Sequence, residues 1–565
     1  MPPDSQTDGL ARVTAALRHA LAAVAPGVPP LDVSLEQPRN LEHGDFASNV
    51  AFAAAKALRR PPQEIAGDVA RAVFAADPAL GDLVSQVTAL AGFVNVRMAP
   101  AYWQETVALV LRDGAAYGSG THAATTISLE FGSANPTGPL VVVQGRTLSV
   151  GATLANAMRH AGHRVTTEWI INDAGTQIDT LGRSLYARYR QLWDTEFPFP
   201  GDGYPGDYLI PVAEELRSRD GDRWVAAPEP EWLPVFALFG RDRIVEGQQA
   251  EAARFGVSYD RWQSERELHE NGAIEAGIER LRALDLVYEA DGALWVRTTA
   301  YGDDTDRVVI RSGGRPTYYA QDVAYHYEKF QRGADLVIDI LGPDHHGYIG
   351  RLNALAAAYG HPGAIEVLIA QQMTLKRGAE TVSLSKRAGQ IVTLAEIIDE
   401  VGVDAARFFF VMPAVESPLT FDLSLAKEQS DANPVYYVQY GHARIASIER
   451  NATPEQRKRA ERGEHLERLV HPAELALARR LGDFPGILRG VVDTRAPHRL
   501  PRYARDVATD FSQFYAACKV LVDDDDLRVA RLGLVHAAKI VLALVLGLIG
   551  VSAPDAMERS TDTAP

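Results

Sequence analysis

Leu10, Val13, Leu17 and Leu21 recur every three or four residues, which lays them along one face of a helix over residues 9–25. A second helical stretch is expected over 49–58, and AGFVNVRM at 91–98 alternates in polarity as a half-buried strand does. Together they predict a small α+β unit. The pattern then changes. TISLEF at 126–131 is the short apolar run of a buried strand, 133–138 is rich in turn formers, 146–160 reads as a helix and 164–171 as another strand. Strand, loop, helix, strand opens a right-handed parallel βαβ unit, and ligands of such units gather at the carboxyl ends of the strands.

Residues 193–232 hold Pro, Gly, Asp and Trp without a clean period and read as an insertion rather than as sheet. The α/β pattern resumes with a strand at 307–311, a turn at Gly313–Gly314, a helix at 321–332, a strand at 335–341, a helix after His346 and a strand at 365–370. From Leu394 to Leu548 nearly every segment is helical in period. The prediction is an α/β protein of three parts: an N-terminal α+β domain over 1–115, a parallel-sheet Rossmann-type domain over 120–395 with an insertion at about 193–300, and an all-α domain over 396–565. The length agrees, since 565 residues exceed what one hydrophobic core supports.

Composition narrows the class. The single cysteine, Cys518, cannot form an intramolecular disulfide, and no Cys/His cluster has zinc-site spacing, so a reducing compartment and no structural metal are expected. The opening MPPDSQTDG lacks the basic start and apolar stretch of a signal peptide, which makes the cytoplasm the expected location. The most apolar segment, 540–551, is a dozen residues and follows His536 and Lys539, so it is expected to be a buried helix rather than a membrane span. A formal charge of −16 argues against a nucleic-acid partner, because phosphates are held by Lys and Arg. Distribution alters that view: residues 444–505 carry fourteen Lys/Arg against eight Asp/Glu. The excess suits a chain that holds a polyanion on one flank, and a solvated helical surface laced with Glu–Arg pairs gives the same count.

Two loops could carry chemistry. Ser133–Gly145 contains Pro136, Gly138, Pro139 and Gly145 and runs into a helix, whose free N–H groups and dipole can receive a triphosphate. SLSKRAG at 383–389 sets Lys386 and Arg387 in a Gly- and Ser-bearing loop, where cations can stabilise the charge that develops as pyrophosphate leaves. Either loop alone is common; the pair is far more specific. His345 and His346 are no metal pair, because adjacent histidines point apart on a helix and no third ligand is spaced for zinc.

On these residues the chain resembles the class I arginyl-tRNA synthetases, the arginine–tRNA ligases. That class carries a HIGH tetrapeptide after the first strand and a KMSKS loop after the last, and SANPTGPL followed by SKRAG looks like the arginyl version. INDAGTQI at 171–178, TYYAQDVAYH at 317–326 and GPDHHGYIGR at 342–351 are similar to the same family. So are EHGDFASNVAFAAAKALRRPPQEIA at 42–66, in the N-terminal domain of arginyl enzymes, and FDLSLAKEQSDANPVYYVQYGHARI at 421–445, LPRY at 500 and LGLIGVSAP at 546, in an anticodon-binding helical domain.

The resemblance implies ATP-dependent activation of L-arginine and its transfer to tRNA, with Mg2+ arriving as part of the ATP complex and no membrane or obligate protein partner. It implies an arginine pocket of Glu130, Asn135, Tyr318, Asp322 and His346. Asp322 and Tyr318, at i and i+4, share a helical face and offer a guanidinium a carboxylate and an aromatic wall. ATP is expected at Ala134, Pro136, Thr137, Gly138, Pro139, Gly145, His345, Ser385 and Lys386, with Lys386, Gln144 and Arg387 as catalytic groups. Tyr436, Tyr440 and Arg444 are expected to contact tRNA by stacking and charge.

The chain departs from the family at one place above all. Val141-Val142-Val143-Gln144 stands where the family has His-x-Gly-His, and Ser383-Leu384-Ser385-Lys386 lacks the first lysine of its loop. Two readings follow. Either the site is rebuilt, with Gln144 donating to phosphate and Arg146, Lys376, Lys386 or Arg387 supplying charge, or the chain is a catalytically silent tRNA-binding paralogue. A missing donor costs about 10² to 10³ in rate, which weakens an enzyme without abolishing it.

Overall fold

The computed structural model describes residues 5–557 apart from 27, 28, 30, 39, 344–346 and 383–391. His345, His346, Ser385, Lys386 and Arg387 therefore lie outside the described residues. A five-stranded parallel sheet forms the middle of the molecule, in the order Ile365–Ile369, Leu336–Leu341, Thr126–Phe131, Arg164–Ile171, Arg261–Ser264. The chain starts in the centre, winds outward to one edge, then returns to build the other side. That reversal leaves a crevice beyond the carboxyl ends of Thr126–Phe131 and Leu336–Leu341, the place where open parallel sheets receive ligands. The Val142–His160 helix follows the first strand and buries thirteen of its residues.

Several expectations shift. That helix begins four residues before Arg146, at Val142, because Val141 is extended (φ −95, ψ 157) and serves as its N-cap. Residues 193–232 hold no sheet strand: helices Leu209–Asp220 and Glu229–Arg254 pack on Thr176–Gln191 around Leu185, Tyr189 and Phe236. The expected insertion at 193–300 nevertheless contains an edge strand of the central sheet, Arg261–Ser264, paired with Glu168–Ile171. The strand expected at 307–311 spans Arg307–Ile310 and lies outside the central sheet; it pairs antiparallel with Ala293–Val296 in a separate three-stranded sheet. The otherwise helical region after Leu394 includes the strand Leu419–Asp422, parallel to Met373–Arg377.

The N-terminal part sets helices Ser5–Val24, Val50–Leu58 and Pro62–Ala76 against an antiparallel sheet of Phe46–Ser48, Phe93–Met98 and Val84–Leu90. At the other end, the apolar segment expected at 540–551 is the tail of a longer helix, Asp525–Ile549. By length and composition this helix could cross a membrane, but 67% of its most apolar window is buried among neighbouring helices such as Pro434–Arg450 and Arg499–Ala517. The apolar stretch reaches back to Val529, across His536 and Lys539, whose side chains pair with Glu449.

The basic excess over 444–505 is largely consumed internally. Arg459 pairs with Asp525 and Asp526, Arg468 with Asp524, Arg479 with Asp45, Arg480 with Asp510, and Arg495 with Glu366, all acids outside the window. A count along the chain sees only one side of each pair. Arg407 ties three segments together from a fully buried position, donating to the carbonyls of Ile549, Phe255 and Gly256.

Candidate active site

A cavity of about 610 Å³ opens at the switch point of the sheet. Strand ends supply its floor: Glu130 from the first strand, Ile170 from the second, and Asp339 to Leu341 from the fourth. Glu265 lines it just past the edge strand, and the helix Tyr318–Gln331 presents Tyr318, Gln321, Asp322, Tyr325 and His326 along one side. Asn135 and Gln144 border it from the loop and helix after the first strand. Five of the predicted residues, Glu130, Asn135, Gln144, Tyr318 and Asp322, thus meet around one space.

Their electrostatic states differ. Asp322 keeps Oδ2 buried without a hydrogen-bond partner, and the Arg351 guanidinium opposite stands off at 3.6 Å, itself stacked on Tyr348. Burial pushes the Asp322 carboxyl up to about 6, against the pull of His326 and Arg351. Glu265 is pushed up to about 7, first by burial and then by the charge of Asp173. Tyr318 is 72% exposed, so it is no core aromatic, and it stands one helical turn before Asp322. Two carboxylates with pKa values raised by burial thus stand beside an exposed ring, with Arg351 as the cation that faces Asp322.

Glu130 is differently placed. Its Oε2 accepts from the ammonium of fully buried Lys329 at 2.8 Å, and its Oε1 from Ser133 Oγ at 3.2 Å. Lys329 also donates to Asp339 at 2.9 Å, while His326 Nε2 meets the other Asp339 oxygen at 2.9 Å. Burial alone would lower the Lys329 pKa, but Asp339, Glu130 and Glu168 more than offset it, and the group stays an ammonium. Glu130 is thus committed to Lys329 and Ser133, whereas Asp322 Oδ2 accepts no hydrogen bond and Glu265, held by the Ala174 N–H and the Gln321 amide, lines the cavity beside it.

The remaining predicted positions among the described residues fall outside the lining of the cavity. Ala134, Pro136, Thr137, Gly138 and Pro139 do not line it: Ala134 bridges to Ile171, Tyr208 donates to the Thr137 carbonyl, and Gln248 of helix Glu229–Arg254 donates to that of Gly138. Gly145 is buried against Leu394 and Phe410, where a Cβ would come within 2.8 Å of each, so its lack of a side chain serves helix packing. Arg146 does not supply charge to the cavity: it is 1% exposed and donates to the carbonyls of Gln371, Ala414 and Ser417. Two residues on from Gln144, it turns to the opposite face of the helix. Lys376 is half-buried on Met373–Arg377, outside the lining. Tyr436 is 8% exposed and stacks on the half-buried Tyr440, and Arg444 lies over the Tyr515 ring at 4.3 Å. Among the described residues no group of three or more His, Cys, Asp or Glu could hold a metal ion.

Val141–Gln144 has a structural task of its own. The Val142 N–H donates to the Val392 carbonyl at 3.1 Å and the Leu394 N–H to the Leu140 carbonyl at 2.8 Å, a short bridge that ties this segment to 392–394. Gln144 accepts the Val141 N–H at 2.8 Å through Oε1, capping its own helix. Two first-turn N–H groups are thereby used, Val142 on Val392 and Gln144 on the Val141 carbonyl, and fewer remain for an anion than the sequence suggests.

Sequence reasoning missed Glu265, Lys329, Asp339 and His326. The acid at the end of WQSE could have been suspected had the edge strand been recognised; Lys329 reads as a surface lysine on a helix, and only the fold shows it sealed beneath the floor.

Comparisons with known proteins agree with this geometry. Residues 11–98 match the arginyl-tRNA synthetase N-terminal domain, 241–410 the class I (R) tRNA synthetase catalytic domain and 438–557 the DALR anticodon-binding domain. An arginine–tRNA ligase of Syntrophotalea carbinolica is 45% identical over 93% of this chain and 95% of its own length. One of Heliobacterium modesticaldum is 43% identical over 97% and 98%. The solved Thermus thermophilus arginyl-tRNA synthetase shares the fold with a TM-score of 0.72, at 23% identity over 96% of this chain and all of that one. Matched end to end, with its cavity at the switch point of a class I catalytic domain, the chain belongs to the arginine–tRNA ligase family of class I aminoacyl-tRNA synthetases.

Proposed function

We propose that the cavity at the switch point binds arginine with its guanidinium on Asp322 and Glu265, the Tyr318 ring beside it and its α-amino end toward Asn135 and Glu130. The chain is an aminoacyl-tRNA synthetase, a ligase that uses ATP to join arginine to tRNA. The arginine carboxylate attacks the α-phosphorus of ATP, releasing pyrophosphate and leaving arginyl-adenylate; a terminal ribose hydroxyl of the tRNA then takes the aminoacyl group and AMP departs. Both steps run on positioning and charge stabilisation.

The observation that supports the pocket assignment is the buried Oδ2 of Asp322, which accepts no hydrogen bond and has only the Arg351 guanidinium at 3.6 Å, on a cavity with a second carboxylate, Glu265, in its wall. A planar guanidinium supplies the donor that Asp322 Oδ2 lacks and can reach Glu265 beside the Ala174 N–H and Gln321 amide that this carboxylate already accepts. ATP then occupies the side of the cavity bordered by Gln144, brings Mg2+ with its phosphates, and meets Lys386 and Arg387 of the 383–389 segment. The proposed domains are 1–115, 120–395 and 396–565; family-model matches at 11–98, 241–410 and 438–557 support three parts in that order, and Tyr440 and Arg444, proposed to face tRNA, fall within the last. Cytoplasm is the proposed compartment. The silent paralogue finds no support among relatives named as ligases.

Pyrophosphate exchange tests the reading, run with arginine and ATP in the presence and absence of tRNA. Arginine-dependent exchange supports it; tight tRNA binding with no exchange in any condition overturns it.

A further inference from the structure

The segment whose purpose the sequence hides, 193–300, reaches the site through four side-chain contacts on one loop. Gln248 is 1% exposed and its Nε2 donates to two carbonyls, Asn135 O at 3.1 Å and Gly138 O at 2.9 Å. Glu251, one turn further along the same helix, accepts the Leu140 N–H at 2.8 Å. Tyr208 donates its hydroxyl to Thr137 O at 2.6 Å, and its ring lies 3.3 Å from where a Cβ on Gly138 would stand. Loop residues 135, 137, 138 and 140 are each gripped from outside, and the loop contributes no strand or helix of its own between Phe131 and Val142.

We infer that Gln248 is a positioning residue for the activation step, with Tyr208 and Glu251 as its partners in a clamp that fixes the loop between the first strand and the Val142–His160 helix. This rests on the reading of the cavity as the arginine and ATP site. The physical case is one of leverage. Asn135 enters the cavity with its side chain while its own carbonyl is held by Gln248, so the amide cannot pivot without breaking a buried hydrogen bond. Gly138 is two residues from Leu140, whose carbonyl receives the Leu394 N–H, so the clamp also sets the base from which Val141 and Gln144 enter the site. Gln248 is suited to this because one NH2 group carries two donors that straddle two carbonyls; a carboxylate there would repel both.

Three variants test it, with kcat and KM for ATP and arginine measured beside thermal unfolding. Gln248→Leu keeps the bulk and loses both donors; a misplacement of about 1 Å costs up to roughly 100-fold in rate, so kcat should fall about 10- to 100-fold in a protein that still unfolds cooperatively. Gln248→Glu should lose as much at pH 8 and recover part of it toward pH 6, because a protonated carboxyl donates one hydrogen bond that a carboxylate cannot; Gln248→Leu should show no such recovery. Tyr208→Phe, a milder deletion at a half-buried position, should lower kcat in the same direction if Gln248→Leu fails to fold. Wild-type kcat and KM in a folded Gln248→Leu or in Tyr208→Phe overturns the clamp. An Asp322→Asn control separates the two readings: if it raises the arginine KM while the Gln248 variants are silent, only the clamp fails, and if it leaves arginine kinetics unchanged the pocket assignment itself falls.

Discussion

Asp322→Asn should weaken arginine use and strengthen the free protein. The wild-type carboxylate is buried, carries one oxygen with no hydrogen bond and faces Arg351 at 3.6 Å. Removing one partner of a buried, hydrogen-bonded charge pair costs about 2–5 kcal/mol, or roughly 30-fold to several thousand-fold in kcat/KM. Asparagine keeps the shape and one acceptor, which places the expected loss near the lower end, about 100-fold, chiefly in the arginine KM. Without ligand the sign reverses. Burial raises the carboxyl to about 6 from 3.8, so folding favours its protonated form. The penalty is absent below pH 4, grows as pH rises through the interval to 6, and reaches at most about 3 kcal/mol at neutrality, two pKa units at about 1.4 kcal/mol each. Arg351 loses its counter-charge in the variant and trims that gain. Steady-state aminoacylation against arginine concentration, with thermal melts at pH 4 and pH 7.5, decides the matter. An arginine KM within threefold of wild type, together with an unchanged melting temperature at pH 7.5, would refute the assignment.

Four further outcomes are expected. Because Glu265 is lifted to about 7 and a cationic ligand prefers it ionised, kcat/KM for arginine should rise with pH through that value and level off above it; Glu265→Gln should remove the inflection, and a pH profile unchanged by that substitution counts against the pair. Lys329→Met strands Glu130 and Asp339 under the cavity floor and should cost about 3–5 kcal/mol in denaturant unfolding, with part recovered in the double variant that adds Asp339→Asn. Gln144→Ala loses a helix-capping acceptor worth about 1 kcal/mol and should slow activation about 10²- to 10³-fold if its amide serves phosphate; a stability loss with full activity would show capping to be its whole role. Lys386→Ala should cut turnover far more than tRNA affinity, checked by pairing exchange rates with filter binding.

Legibility followed burial pattern. The first two central strands could be read to the residue, TISLEF as a mostly apolar run and RVTTEWII by its β-branched and aromatic residues. The edge strand Arg261–Ser264 was not, since four residues that include Arg and a buried Gln and Ser carry neither alternation nor an apolar run. Asp322 and Tyr318 were legible through the resemblance of TYYAQDVAYH at 317–326, and their helical spacing, which is local, set them on one face. Glu265 was not, because it reaches the cavity only through the pairing of 168–171 with 261–264, a contact nearly a hundred residues apart. Arg146 misled for the converse reason: beside Gln144 in sequence, it projects from the opposite face and is spent on backbone carbonyls far from the cavity.

The altered tetrapeptide can now be divided by atom. Its backbone links Leu140 and Val142 to 392–394, work that any side chain permits and that extended, β-branched valines favour at residue 141. Its side chains are where the family supplies two imidazoles and this chain supplies one amide. Gln144 Oε1 is committed to the Val141 N–H, which leaves Nε2, on a residue that lines the cavity, as the tetrapeptide's side-chain donor. Val143 is 39% exposed and lines the cavity, so on the proposed reading a nucleotide base sits farther from the backbone than it would over a glycine. The fold around the tetrapeptide is preserved; on the proposed reading its contact with ATP is thinned to Gln144, whose helix starts from the loop that Gln248, Glu251 and Tyr208 hold.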